Sequence, residues 1–338
     1  MRAVLPYDAP PSIRAVVAEA DPAVVEIVRL DEADRQGLLR ELGSAEVLLH
    51  VLAPVTAALM RAAPRLRLVH KIGVGVDAID LAHAEANGIA VCNMPGTNTA
   101  AVAELALGLM LACLRRIVPI AGGVRAGGGW PARPELIDGA GEIGQRCVGL
   151  VGYGAVARRL AAVLRALGAR VIAHSRDSGV SPLASNAEAL ISPSDARGPT
   201  PPCPPCDVEL VPLDRLLAEA DIVSLHVPLT AETRGLLSRE RIRRMKPGAI
   251  VVNTARGPLI DEAALAEALE RRHIAAAGLD VLADEPPRPG HPLLASPHVV
   301  ATPHIAWLTD GTWRRSVAVI AENCRRLAAG EPLLNRVV

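Results

Sequence analysis

Two α/β domains of Rossmann-like or flavodoxin-like type, each built on a doubly wound parallel sheet, are predicted by three features of the 338-residue sequence. Apolar runs of strand length alternate with amphipathic runs of helical period, which suits a parallel sheet covered by helices on both faces. A glycine turn joins one such strand directly to a helix. The length fits two domains, and a chain that is 50% hydrophobic can bury a core in each.

The first alternating series places strands at Val24 to Val28, Val47 to Val51, Leu68 to Ile72 and Ala90 to Asn93. The stretch from Ala100 to Leu114 is the most apolar and the one candidate for a membrane span. It is shorter than the roughly 18–20 residues a span needs, carries Glu104, and follows the potential N-caps Thr97, Asn98 and Thr99, so it reads as a buried helix. A glycine-rich connection, Gly122 to Gly129, leads to a second series at Cys147 to Val151, Arg170 to His174, Ile222 to His226, Ile250 to Asn253, Ala276 to Leu279 and Val299 to Ala301. Six strands in succession suffice for a dinucleotide-binding sheet. The tail from about Thr309 to Ala329 reads as an amphipathic helix that folds back on the first series. The expected division is therefore residues 1–98 plus 305–338 as a substrate-binding domain and 99–304 as the dinucleotide-binding domain. Residues 177–212, rich in Pro, Ser, Ala and Gly, read as a surface insertion.

A formal net charge of +0 and a pI near 7.1 give no electrostatic footprint for nucleic acid or an anionic membrane. Six cysteines are sparse for this length, so a disulfide framework is not expected. The Cys203/Cys206 pair lacks the further ligands of a tetrahedral zinc site, and no metal is expected. The opening MRAVLPYDAP turns polar and Pro-rich too early for a signal peptide, and a cytoplasmic location is the default.

The glycine turn lies in VGLVGYGAVARRLAAVLRALG, Val148 to Gly168. Gly152 permits the sharp bend, Tyr153 lies between, and Gly154 lets backbone approach a pyrophosphate. The helix beyond offers free N–H groups and a positive dipole end. Ala157 stands at the third fingerprint position, small enough for close helix–strand packing. The residue that would meet the adenosine ribose falls in His174-Ser175-Arg176-Asp177. Ser175 and Arg176 suit a 2′-phosphate and favour NADP, while Asp177 keeps NAD open.

Reduction of a 2-oxo acid needs a cation for the carboxylate, a proton donor for the developing alkoxide and a partner for that donor. Arg256 ends an apolar strand where a guanidinium can grip a carboxylate through two bonds. His304 follows the Val299 to Ala301 strand and can exchange a proton, whereas His298 precedes that strand and reads as structural. Glu285 in GLDVLADEPP, if beside His304, would favour the protonated ring and fix its orientation. Asp280 either meets a nicotinamide carboxamide or caps a helix. In HKIGVGVDAID the backbone of Val74 and Gly75 can bind a carboxylate, with Lys71 adding charge, or simply make a turn.

These residues fall in seven ordered motifs: KIGVGVDAIDL, NTAAVAELALGLML, VGLVGYGAVARRL, ADIVSLHVPLTAETRGLL, MKPGAIVVNTARGPLIDEAAL, GLDVLADEPP and TPHIAW. Together they resemble the D-isomer-specific 2-hydroxyacid dehydrogenases. The resemblance implies catalytic Arg256, Glu285 and His304. It implies cofactor contacts at Ala155, Val156, Ser175, Arg176, Val227, Pro228, Thr233, Thr254, Ala255 and Asp280, with Arg256 and His304 beside them. It further implies two domains closing over a cleft, usually as a homodimer, and a small 2-oxo or 2-hydroxy acid exchanging a hydride with NAD(P). Trp307 resembles the branch of C-terminal-binding-protein-like dehydrogenases, and its indole suggests an apolar substituent on the substrate. Two alternatives are a 3-phosphoglycerate dehydrogenase, which needs a basic cluster for phosphate near His70 and Lys71, and a non-catalytic NAD(H)-sensing interaction protein.

Overall fold

The computed structural model describes residues 1–127, 130, 134–175 and 208–338. They form two compact units, one of Met1–Asn98 with Trp307–Val338 and one running from Thr99 to Ala306. The insertion and its Cys203/Cys206 pair lie almost wholly outside the described residues, as does Arg176.

The first unit holds a parallel five-stranded sheet of β1 (Arg2–Pro6), β2 (Glu26–Leu30), β3 (Val47–His50), β4 (Leu68–Lys71) and β5 (Ala90–Cys92), in the order β2-β1-β3-β4-β5. Successive side chains of β3 go to opposite faces: Val47 and Leu49 join Trp313 and Ile320, while Leu48 joins Leu42 and Met60. The helix Asp310–Ala329 starts on Thr309, whose hydroxyl accepts from Thr312 N, and packs on the helix Pro11–Val17.

The sequence reading missed β1, because its apolar run RAVLP closes on a proline, and it set β2 two residues too early. Pro6 causes no conflict there, since it ends the strand rather than interrupting the ladder.

The second unit carries β6 (Cys147–Val151), β7 (Arg170–His174), β8 (Glu209–Leu210), β9 (Ile222–Leu225), β10 (Ala249–Asn253), β11 (Ile274–Leu279) and β12 (Val299–Ala301). All are parallel, in the order β12-β11-β10-β9-β6-β7-β8, so chain direction across the sheet reverses between β6 and β9. Ligands of such sheets bind at the carboxyl edge beside that reversal. The helix Thr99–Leu114 lies against β10 to β12. A Cβ on Gly278 would stand 2.8 Å from Leu109 Cβ, so that glycine admits the helix closely.

Two further expectations need correction. The Gly122 to Gly129 connection is in part a helix, Ile117–Arg125, where the flanking apolar residues sustain helical backbone through Gly122 and Gly123. Residues 208–212, assigned to the insertion, instead supply β8, a two-residue edge strand with both residues exposed and hence no buried pattern to detect.

Candidate active site

Six strand ends of the second unit supply the carboxyl edge. After β6, Gly152 has φ +95, and a Cβ there would meet His226 O at 2.5 Å and Val227 Cγ1 at 2.8 Å, so both backbone and space demand glycine. Gly154 precedes the helix Ala155–Ala166, makes no side-chain cap, and has nothing within 4 Å of its would-be Cβ. The first-turn N–H groups of Ala155 and Val156 have no partner within the helix, and Ala155 is exposed, while Ala157 is fully buried against the sheet. Arg158 lies 5.6 Å over the Tyr153 ring and donates to Tyr153 O at 3.2 Å, which stiffens the turn.

The neighbouring ends complete this rim. Ser175 follows His174, whose ring lies 3.2 Å from Val211 O. Beyond β9, Thr233 is buried and knots the loop of Val227 and Pro228, donating to Pro228 O at 2.7 Å and accepting from Thr230 N at 2.7 Å. After β10, Asn253 holds the turn through Ala255 N and Arg256 O. Thr254 Oγ1 is buried and lacks a hydrogen-bond partner among the described residues. An uncapped helix N-terminus and an unsatisfied buried hydroxyl on the same sheet edge fit a dinucleotide.

Beyond β11 and β12 lie the groups that can move a proton. His304 Nδ1 and Glu285 Oε2 are 2.6 Å apart, and Leu282 N donates to Glu285 Oε1 at 3.0 Å. Burial pushes the Glu285 carboxyl up. The His304 bond and charge, the Leu282 amide and the positive charge of Arg256 outweigh it and hold that carboxyl below the usual carboxylate range. Arg256 is half-buried and donates to Ala255 O at 2.8 Å. His304, Glu285 and Arg256 thus occupy one edge of one sheet, although long stretches of chain separate them.

Asp280 is 1% exposed and supports this arrangement in a way the sequence did not reveal. Its Oδ1 accepts from Thr302 Oγ1 at 2.6 Å and Ile305 N at 2.9 Å, and its Oδ2 accepts from Ala306 N at 2.9 Å. Burial raises its carboxyl against the pull of these bonds. Its carbonyl accepts from His304 N at 2.7 Å, and His304 itself has φ 53.

The remaining expected residues belong to the first unit. Lys71 is buried and its ammonium donates to Val51 O. Val74 is 48% exposed on a loop pinned by Asn93 Nδ2 to Val74 O and Met94 N to Gly73 O, with Gly75 next to it. Trp307 packs on Tyr7 and Trp313, with ring centroids 5.9 and 5.8 Å away. His70 is fully buried beside Asn323, and burial lowers its ring to about 4. With Lys71 and His70 both enclosed, the basic cluster imagined for a phosphate has no exposed member there.

Among the described residues no group of three or more His, Cys, Asp or Glu is placed to hold a metal ion, and no helix is long and apolar enough to cross a membrane.

Comparison with known proteins adds to this geometry. Residues 107–306 match the sequence profile described as D-isomer specific 2-hydroxyacid dehydrogenase, NAD binding domain. The chain is 38% identical over 308 residues to D-3-phosphoglycerate dehydrogenase of Mycobacterium tuberculosis, covering 91% of this chain but 54% of that protein, so it spans about half the relative's length. It is 37% identical to glyoxylate reductase of Thermofilum pendens, covering 88% of this chain and 82% of that one. The crystal structure of TT0316 protein from Thermus thermophilus superposes with a TM-score of 0.82 at 37% identity, with both chains fully covered.

Proposed function

Since the chain belongs to the D-isomer specific 2-hydroxyacid dehydrogenase family, we propose that it reduces a small 2-oxo acid to the D-2-hydroxy acid, and runs the reverse oxidation, with a nicotinamide dinucleotide. The observation that carries this reading is the 2.6 Å pair of His304 and Glu285 on the sheet edge that also bears Arg256. An imidazole paired through Nδ1 presents its other nitrogen for proton exchange.

In this mechanism Arg256 grips the substrate carboxylate and polarises the adjacent carbonyl. His304 donates a proton from Nε2 as negative charge builds on the carbonyl oxygen, and recovers it in the oxidative direction. Glu285 stays ionised, stabilises the protonated ring and orients it. Gly152 to Val156, Ser175, Val227, Pro228, Thr233, Thr254 and Ala255 would hold the dinucleotide, which would supply or take the hydride at C2. Asp280 fixes the turn that carries His304. The exposed loop of Val74 and Gly75 is assigned to the substrate carboxylate, with Lys71 adding its charge from the buried strand end behind it, and Trp307 to the substrate's substituent.

NADP is favoured by Ser175 and Arg176. A homodimer is supported by the exposed Ile117, Val118 and Val124 on the helix Ile117–Arg125. The buried free thiols of Cys92, Cys113, Cys147 and Cys324 suit a reducing, cytoplasmic setting.

A survey of 2-oxo acids with NADPH and NADH tests the reading; no turnover with any of them refutes it. Similarity to the mycobacterial phosphoglycerate dehydrogenase favours one second reading, oxidation of 3-phosphoglycerate, which is assayed in the oxidative direction with NAD+ and NADP+ as hydride acceptors. Tight NADH binding without turnover would instead support an NAD(H)-sensing role.

A further inference from the structure

The loop bearing Glu285 is held from a direction that proton exchange does not itself require. Ala283 N donates to Glu262 Oε1 at 2.7 Å, and His291 Nε2 lies 3.2 Å from Glu262 Oε2. Both side chains are largely enclosed, at 18% and 15% exposure. Glu262 opens the helix Glu262–Glu270, just downstream of Arg256 on the same segment. A glutamate in a first helical turn ordinarily does no more than complement the helix dipole. This one reaches into a different loop.

A second contact ties the same two segments together. A Cβ on Gly257 would fall 1.9 Å from the Leu282 carbonyl carbon and 2.3 Å from Ala283 N, so the Arg256 segment lies directly on that peptide. The peptide is therefore pressed by Gly257 and tethered by Glu262. The preceding N–H, of Leu282, donates to Glu285 Oε1, and Glu285 Oε2 meets His304. Bonds thus run from His291 through Glu262 and the Leu282–Ala283 peptide to the acid–base pair.

We propose that Glu262, seated by His291, is a positioning residue that holds the Leu282–Ala283 peptide so that the Glu285 carboxylate faces Nδ1 of His304. The proposal rests on the assignment of Glu285 and His304 made above. Small displacements of a positioned group cost rate far more than they cost binding.

The test compares the full chain with Glu262→Gln, Glu262→Ala, Glu285→Gln and the double variant Glu262→Ala/Glu285→Gln. The first readout is the carboxyl carbon resonance of Glu285 followed through an acid titration, which needs no substrate. Its midpoint should rise in Glu262→Ala and stay near wild type in Glu262→Gln, whose side-chain carbonyl still accepts from Ala283 N. With a 2-oxo acid that turns over, Glu262→Ala should lower kcat about tenfold, equivalent to about 1.4 kcal/mol, with KM changed less than about twofold. Glu262→Gln should restore most of the loss, and Glu262→Ala should add nothing to Glu285→Gln. An unmoved midpoint, full additivity, or a folded Glu262→Gln as impaired as Glu262→Ala overturns the proposal. A wild type that reduces no 2-oxo acid, with the midpoint still responding, refutes the functional reading and leaves the link from Glu262 to Glu285 standing.

Discussion

His304 sits on a left-handed backbone that a side chain seldom adopts, and Asp280 keeps it there by receiving three donors and offering its own carbonyl. A carboxylate serves all three donors with two acceptor oxygens, whereas an asparagine has one oxygen and turns an NH2 toward a donor. Asp280→Asn should therefore leave a buried N–H unmet and lower stability by about 1–3 kcal/mol, readable in urea denaturation. Glu285 bears on pH in the opposite sense to a group that gains a proton on folding. Its carboxyl is depressed in the folded protein, so its contribution is complete above the ordinary glutamate range and disappears as pH falls through the depressed value. Denaturation midpoints followed from neutral pH into acid should show that loss in the wild type and a flatter profile in Glu285→Gln. At Gly152 both φ and the neighbouring His226 carbonyl exclude a side chain. Gly152→Ala should weaken dinucleotide binding in a direct titration, and unchanged affinity would remove the turn from the proposed site.

At the scale of elements, what was legible followed from burial. Strands such as β6, β9 and β10, buried at every position, stand out as unbroken apolar runs. β8 has both residues exposed and left no such trace, and β1 was hidden by Pro6 at its end. The glycine turn and Arg256 were readable because each follows such a run, and His304 because it follows the apolar Val299–Ala301, which is only partly buried. Asp280, Glu262, His291 and Gly257 act through partners distant in sequence, for which local pattern carries no signal. Gly257 in a motif beside an arginine was the one available hint. The helix Ile117–Arg125 shows how an element's face invites a prediction: Val118 is 52% exposed and Ile117 50%. Val118→Glu should shift a dimer toward monomer in light scattering if that face is the self-association surface, and an unaltered mass would exclude it.

Across the whole molecule, each unit keeps its own core and supports a different kind of test. The chain has three tryptophans, two tyrosines and no phenylalanine, and Tyr7, Trp307 and Trp313 cluster in the first unit. Trp313 is fully buried, so Trp313→Ala should cost about 3–5 kcal/mol in calorimetry, while a variant of similar stability would mean that the cavity collapses. Dinucleotide preference belongs to the second unit and is read as the difference between NADPH and NADH in the rise of Tm, with the larger rise expected for NADPH. The same partition reaches further, because His304, Glu285, Arg256 and the Glu262 tether all reside between Thr99 and Ala306. On the proposed assignment of Val74, Gly75 and Trp307, heredity could redraft the first unit by recombination and broaden or narrow the diet of acids, while the machinery that handles the proton passes down untouched.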